Sequence, residues 1–130
     1  MAWTFEITTG NWYDPLGAFV SKGYSGLGPD KNDPKAESKK AHGPIPEGRW
    51  YMGPWFDDIG GKGELVCHLV ALPGTETYGR TGFMIHGDAK AHPGAASHGC
   101  PIADHPTRLI LSKSNDHEVD AVAVFKAVEA

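Results

Sequence analysis

The stretch WTFEITTGNWYDPLGAFVS, residues 3–21, decides the fold class of this 130-residue chain. Trp3, Phe5 and Ile7 alternate with polar residues, which is the period-two pattern of a strand that buries one face. Turn residues at 9–11 and at 14–15 then separate two further short runs of aromatic and branched residues. The stretch therefore predicts a three-stranded meander at the start of a mainly β domain.

Composition agrees with a β-rich chain made of short elements. The 17 glycines and 10 prolines together fill 27 of the 130 positions, which indicates many turns. We predict further strands at GRWYMGPW (48–55), at ELVCHLVAL (64–72) and at EVDAVAVF (118–125). The second of these is apolar on both faces and should lie centrally in a sheet. The length is that of one domain, so residues 1–130 are predicted to form a single domain.

Two other segments differ from this strand pattern. Residues 22–46 show no periodicity and are rich in glycine and proline, which predicts a long surface loop, either a functional lid or a mobile insertion. After Pro101, an N-cap candidate at Asp104 or His105 and a proline at 106 predict a short helix.

The charge pattern limits the partners to be expected. The chain has 12 basic and 16 acidic side chains, a formal charge of −4, and no basic patch interleaved with aromatic residues. We therefore expect no nucleic-acid partner. No stretch approaches the roughly 20 apolar residues of a membrane span, and the N-terminus lacks the pattern of a cleaved signal peptide. We expect a soluble chain, without a membrane partner, that is cytoplasmic or is exported without a cleaved signal.

The segment HGDAKAHPGAASHGCP, residues 86–101, concentrates the chemically active side chains. One interpretation is a zinc site, because His86, His92, His98, Cys100 and His105 are all possible ligands. His86, His92 and His98 are six residues apart in a glycine-containing loop, and no HExxH or CxxC pair occurs, so the spacing disfavours this interpretation. We expect no metal and no other cofactor, with a zinc-dependent hydrolase as an alternative.

A cysteine nucleophile uses the same segment better, because it needs a thiolate, a nearby imidazole and backbone N–H groups for an oxyanion. Cys100 precedes the predicted helix, whose N-terminus should lower the pKa of the thiol. The amides of Gly99 and Cys100 are candidate oxyanion donors. His86, at the end of a short strand, is the candidate general base. Cys67 lies in a predicted buried strand and is expected to be structural.

Two motifs in this order resemble the catalytic (YkuD-like) domain of L,D-transpeptidases. IHG at 85–87 followed by SHGC at 97–100 resembles the histidine and nucleophile motifs of that family, and GPIPEGRWYM at 43–52 resembles the strand that precedes them. The small size, the GYSG at 23–26 and the absence of a signal peptide are most similar to the L,D-transpeptidase effectors of type VI secretion systems. The resemblance implies a compact L,D-transpeptidase-like β-sandwich with a short helix after the catalytic cysteine.

The resemblance also implies a reaction. Cys100 would attack the carbonyl that follows meso-diaminopimelate in a peptidoglycan tetrapeptide stem, expel D-alanine and leave a thioester. His86 would deprotonate the thiol and then the acceptor, while the backbone carbonyl of Gly87 orients the imidazole. Water as acceptor gives L,D-carboxypeptidase activity, a stem amine gives a cross-link, and a free D-amino acid gives exchange. The sequence leaves the choice of acceptor open.

Supporting roles follow for the neighbouring positions. Ser97 would fix the shape of the loop, and Gly99 would let substrate approach the backbone. His98 would line the site or polarise the thiol, or else pack beside the nucleophile in a structural role. Tyr24 and Ser25 are candidate substrate-binding residues, whereas surface positions are expected for the histidines at 92 and 105. Cys100 is followed by Pro-Ile-Ala, where the family generally has an apolar residue and then Arg or Asn. The group that holds the substrate carboxylate is therefore left unassigned.

The resemblance to secreted effectors implies a place of action and partners. An antibacterial toxin of this kind would be cytoplasmic before export and would act in the periplasm of target bacteria. Its partners would be peptidoglycan stems, a secretion-spike carrier and an immunity protein. The alternative to catalysis in the same fold is a cell-wall-binding domain that does not turn over its ligand.

Overall fold

A single seven-stranded sheet dominates the computed structural model, which describes residues 1–126. One α-helix and two short 3₁₀ helices complete the secondary structure of these residues. The strands are β1 (Trp3–Glu6), β2 (Asn11–Tyr13), β3 (Phe19–Lys22), β4 (Gly48–Asp58), β5 (Gly63–Ala71), β6 (Met84–Ile85) and β7 (Glu118–Val122); the helix is α1 (His105–Lys113), and the 3₁₀ helices are Gly28–Asp30 and Pro34–Ala36.

The strand order is β3-β2-β1-β7-β4-β5-β6, with β1 and β7 parallel and the other neighbours antiparallel. The N-terminal meander is confirmed as β1-β2-β3, and the last predicted strand is confirmed as the shorter β7. The mainly β class is also confirmed, and the strands form one continuous curled sheet. Strand β7 thus lies between the N-terminal meander and the β4-β5 hairpin, in the middle of the sheet.

Strand β1 is more deeply buried than its alternating sequence predicts. Thr4 and Glu6, expected on the solvent face, are each only 6% exposed. Glu6 accepts hydrogen bonds from the Thr9 hydroxyl and from the amide of Phe125, so both oxygens of its buried carboxylate have hydrogen-bond partners. The half-buried pattern was wrong because β1 lies between two strands and is covered on both faces.

Strand β5 is less buried than its apolar sequence predicts. It lies next to the last strand of the sheet, and it exposes His68 and Val70 while burying Cys67 and Leu69. The prediction of a central strand buried on both faces was wrong, because from Cys67 to Val70 the side chains alternate between a buried face and a face that is open to solvent. The expectation that Cys67 is buried is confirmed.

The segment 22–46 is partly anchored rather than wholly superficial. Ser25, Ala36 and Ile45 are almost fully buried, and the two 3₁₀ helices lie between the first and last of these anchors. Ile45 belongs to the main hydrophobic core together with Trp12 and Trp50. The prediction of a surface loop therefore holds only for the stretches between the anchors.

Helix α1 follows the predicted capping chemistry. The side chain of Asp104 accepts a hydrogen bond from the amide of Thr107 at 2.9 Å, and a proline occupies the first turn. Leu111 reaches the core, and Trp3 Nε1 donates to the hydroxyl of Ser114 just after the helix. These contacts fix the helix against the sheet. No helix within residues 1–126 is long and apolar enough to cross a membrane.

Candidate active site around Cys100 and His86

The short strand β6 brings the two predicted catalytic residues onto neighbouring segments. His86 directly follows β6 and pairs in parallel with Ile102, two residues after Cys100. The backbone N–H of Met84 donates to Cys100 Sγ at 3.3 Å. The thiol therefore lies against the strand that carries the histidine.

His86 is held in one tautomer by its own backbone. Its Nδ1 lies 2.8 Å from the carbonyl oxygen of Gly87, which can only accept, so Nδ1 carries the ring hydrogen. Nε2 is then the basic nitrogen, and it is buried without a hydrogen-bond partner among the described residues. Burial lowers the pKa of His86, and the Gly87 carbonyl opposes that effect only in part. The imidazole is consequently neutral at neutral pH.

The Cys100 thiol is protonated in the resting site. Burial raises the pKa of Cys100, and the N–H of Met84 and the positive charges of Lys62 and Arg80 oppose the rise. The expectation of a lowered pKa was wrong, because α1 begins only at His105 and desolvation outweighs the favourable charges. The thiol donates towards the carbonyl of Gly82 at 3.7 Å, and no hydrogen bond joins it to His86 among the described residues.

Ser97 fixes the turn of residues 97–100, which carries the candidate nucleophile Cys100 and is called the nucleophile turn below. Its buried hydroxyl donates to the carbonyl of Cys100 at 2.6 Å and accepts from the amides of Gly99 at 3.1 Å and Gly26 at 2.9 Å. The bonds to Cys100 and Gly99 are within the loop, as expected for Ser97, whereas the bond from Gly26 joins the loop to the 22–46 segment. The Ser97 hydroxyl also engages the Gly99 amide, so of the two expected oxyanion donors only the Cys100 N–H makes no hydrogen bond within residues 1–126.

Ser25 holds the same turn from the opposite side. Its hydroxyl donates to the carbonyl of Gly99 at 2.7 Å and accepts from the amide of Ile45 at 2.9 Å. The residue is completely buried. Its predicted contact with substrate stays a prediction, and this structure gives it no exposed atom with which to make that contact.

Tyr24 braces the loop between the two motifs. Its hydroxyl donates to Asp88 at 2.6 Å and accepts from the amide of Ala96 at 2.9 Å. Burial and the neighbouring carboxylate raise the pKa of Tyr24 to about 12. The ring borders a second cavity of about 290 Å³, distinct from the one that contains Cys100. The role of Tyr24 in substrate binding stays a prediction.

Cys100 opens into a cleft of about 390 Å³. The wall consists of three short segments, 40–41, 79–83 and 98–100. His98 is exposed on this wall, and its Nδ1 lies 3.1 Å from the carbonyl oxygen of Ala41. His98 thus lines the cleft and also contacts the opposite loop. His86 is not part of the wall and is buried beside it.

Arg80 is a site residue that the sequence did not reveal. One terminal nitrogen of its buried guanidinium donates to the carbonyls of Glu37 at 2.6 Å and Pro44 at 2.8 Å. The other donates to the carbonyls of Gly43 at 2.9 Å and His98 at 3.2 Å. Arg80 therefore ties the 37–44 segment to the nucleophile turn. A Cβ on Gly99 would collide with this guanidinium, so the turn requires glycine there.

Two further cations lie near His86 and were also missed. Arg108 of α1 packs over Gly87, where an added Cβ would lie 2.8 Å from a guanidinium nitrogen, and it donates to the carbonyl of Glu64. The positive charges of Lys62 and Arg108 further lower the pKa of His86. No sequence motif marks these residues, because only the packing of the helix and the β4-β5 turn brings them to the histidine.

The remaining histidines do not join the site. His92 and His105 are exposed, as their expected surface positions require. No group of three or more His, Cys, Asp or Glu side chains that could hold a metal ion occurs within residues 1–126. The histidines of this segment therefore lack the convergent arrangement that the zinc alternative needs.

Comparison with known proteins gives a single finding. A family model described as the Tlde1 domain matches residues 20–125, which is most of the chain and includes every predicted site residue. No curated protein and no solved structure matches.

Proposed function

The chain belongs to the Tlde1 domain family, a family of type VI secretion effectors, and from this premise we propose that it is a cysteine-dependent acyl-transfer enzyme acting on peptidoglycan. The proposed reaction is that of an L,D-transpeptidase or L,D-carboxypeptidase. It removes or exchanges the D-alanine that follows meso-diaminopimelate in a tetrapeptide stem. The family match supports the effector role, and the reaction rests on the IHG and SHGC motifs and on the geometry around them.

One observation carries the proposal. The Gly87 carbonyl fixes the hydrogen of His86 on Nδ1, which leaves a buried, neutral and unpartnered Nε2 next to the segment that bears the only cleft-lining thiol of the described residues. A buried nitrogen without a partner is costly in a merely structural role. It is the arrangement that a general base requires.

The resting thiol and imidazole are both neutral, so deprotonation accompanies attack rather than preceding it. When a stem occupies the cleft, the thiol turns from Gly82 towards His86 and transfers its proton to Nε2. As this proton moves, the sulfur forms a bond to the carbonyl carbon, and the Cys100 N–H stabilises the oxyanion that results. On collapse, the C–N bond breaks, D-alanine takes the proton from Nε2, and a thioester remains.

The thioester is then resolved by an acceptor that His86 deprotonates in the same way. Attack by water releases a shortened stem and regenerates the enzyme. Attack by an amine of another stem forms a cross-link, and attack by a free D-amino acid places that amino acid at the fourth position of the stem. Shortened or exchanged stems would deprive the normal cross-linking enzymes of donors. That outcome suits an effector delivered into the periplasm of a competitor, carried by a secretion spike and neutralised in the producer by an immunity protein.

The decisive experiment incubates the protein with purified tetrapeptide stems and follows D-alanine by mass spectrometry. We expect release by the parent protein and none by Cys100→Ala or His86→Ala, with His105→Ala as the matched control because its imidazole is exposed. Release by Cys100→Ala equal to that of the parent would refute the mechanism. Binding of stems without release by the parent would instead identify a cell-wall-binding domain.

A further inference from the structure

The charge of the Cys100 cleft is opposite to that of the chain. The chain carries a formal charge of −4, yet the charged side chains on the cleft wall are Lys40 and Arg80, and no Asp or Glu contributes to it within residues 1–126. Clefts lined by charges of one sign concentrate ligands of the other sign. The cleft is therefore suited to an anionic group of a ligand.

Of the two cationic side chains on the wall, only Lys40 keeps its terminal nitrogen unoccupied within residues 1–126. The terminal nitrogens of Arg80 are occupied by four backbone carbonyls. His98 uses its Nδ1 hydrogen on Ala41, so its Nε2 can only accept while the ring is neutral. Lys40 is exposed, and its ammonium makes no ion pair or hydrogen bond within residues 1–126. Its three donors are available to a ligand.

The backbone that presents Lys40 is held in place. Ala41 adopts a left-handed conformation with φ of 64°, which is unfavourable for a residue with a Cβ and persists only where the surroundings impose it. Its carbonyl contacts the His98 ring, and the following carbonyls of Gly43 and Pro44 accept from Arg80. The base of the Lys40 side chain is thus fixed at the cleft, opposite the nucleophile turn.

We propose that Lys40 binds one of the two stem carboxylates that flank the scissile bond, that of diaminopimelate or that of the terminal D-alanine, in the Cys100 cleft. The inference rests on the proposed function and extends it by naming the substrate group that is recognised and the residue that recognises it. Cys100 is followed by Pro101, Ile102 and Ala103, so this part of the chain supplies no cation for that purpose. Lys40 supplies it from the 22–46 segment, which is distant in sequence and adjacent in space.

The test measures binding, so that it does not depend on turnover. In a Cys100→Ala background, calorimetry compares three synthetic tetrapeptides: the free acid, the C-terminal amide, and the peptide amidated on the diaminopimelate carboxyl. Each is measured against Lys40→Ala and Lys40→Arg. Lys39→Ala is the matched control, because this neighbouring lysine is paired with Asp30 at 3.1 Å and does not line the cleft.

We expect Lys40→Ala to weaken binding of the free acid about fivefold, the range of a partly exposed charge-assisted contact, and Lys40→Arg to restore most of the loss. The same substitution should leave binding of one amidated peptide unchanged, and that peptide identifies which carboxylate is bound. Equal weakening of all three peptides, no weakening of any, or the same pattern in Lys39→Ala would overturn the proposal. If the peptides bind in this way but the parent releases no D-alanine, the carboxylate site stands and the proposed catalysis fails.

Discussion

Replacement of Ser97 by alanine should loosen the nucleophile turn and destabilise the whole domain. The hydroxyl is fully buried and makes three hydrogen bonds, to the amides of Gly26 and Gly99 and to the carbonyl of Cys100. Ser97→Ala removes no packing volume beyond one oxygen atom, so its effect comes from three backbone groups that lose their partner. At about 1 kcal/mol for each group, the free energy of unfolding should fall by about 3 kcal/mol.

Such a loss leaves most small domains folded, since their total stability is about 5–15 kcal/mol. We would measure it by urea unfolding, followed by tryptophan fluorescence, and compare it with Ser112→Ala. Ser112 of α1 is only partly buried, and its hydroxyl makes one solvent-exposed hydrogen bond, to the carbonyl of Leu109, so its loss should cost less than about 0.5 kcal/mol.

The same variant should also slow D-alanine release in conditions where it is fully folded. Displacement of a reacting group by about 1 Å costs up to about a hundredfold in rate, and Ser97 fixes both backbone groups that flank the thiol. A stability loss below about 1 kcal/mol, or one equal to that of Ser112→Ala, would refute the assignment of Ser97 as the residue that holds the turn.

Three further outcomes follow from the site. Gly99→Ala should lower the melting temperature more than Gly60→Ala, because both glycines have positive φ but only a methyl group at 99 meets buried atoms; equal shifts would contradict this. Burial lowers the pKa of His86, and the base must be neutral to work, so kcat/KM should rise with pH through a midpoint below the ordinary value of about 6.5; a midpoint above it would argue against His86 as the base. Iodoacetamide should label Cys100 appreciably only above the ordinary thiol pKa of about 8.5, and Cys67, whose pKa is raised to about 12, only after unfolding; rapid labelling of Cys100 at pH 6 would contradict the desolvated thiol.

Local sequence patterns predicted the elements whose cause is local. The alternation after Trp3, the turn residues that follow it and the cap at Asp104 each act within a few residues of themselves. The corresponding strands and helix occur where they were expected. The patterns failed for the burial of β1 and β5, because the depth of a strand depends on which other strands lie beside it, and the parallel pairing of β1 with β7 joins opposite ends of the chain.

The same contrast between local and long-range causes applies to the candidate site. The motifs identified Cys100 and His86, and the resemblance supplied the orienting carbonyl of Gly87, because these groups lie within one short segment of the sequence. Arg80 and Lys40 carry no motif. They reach the nucleophile turn only because segments 37–44 and 79–83 fold against it, and a single sequence does not specify those contacts.

The sequence by itself determined the fold class, the short helix after Cys100 and the choice of Cys100 and His86 as the candidate reactive pair, since periodicity, capping and motif chemistry are local properties. Tertiary structure decided the protonation states and the charge of the cleft. Ser25 is 74 residues from Gly99 and yet bonds to its carbonyl, and burial raises the pKa of Cys100 where the helix terminus alone predicted a decrease. Desolvation and hydrogen bonding depend on every atom that surrounds a group, and those atoms come from distant parts of the chain.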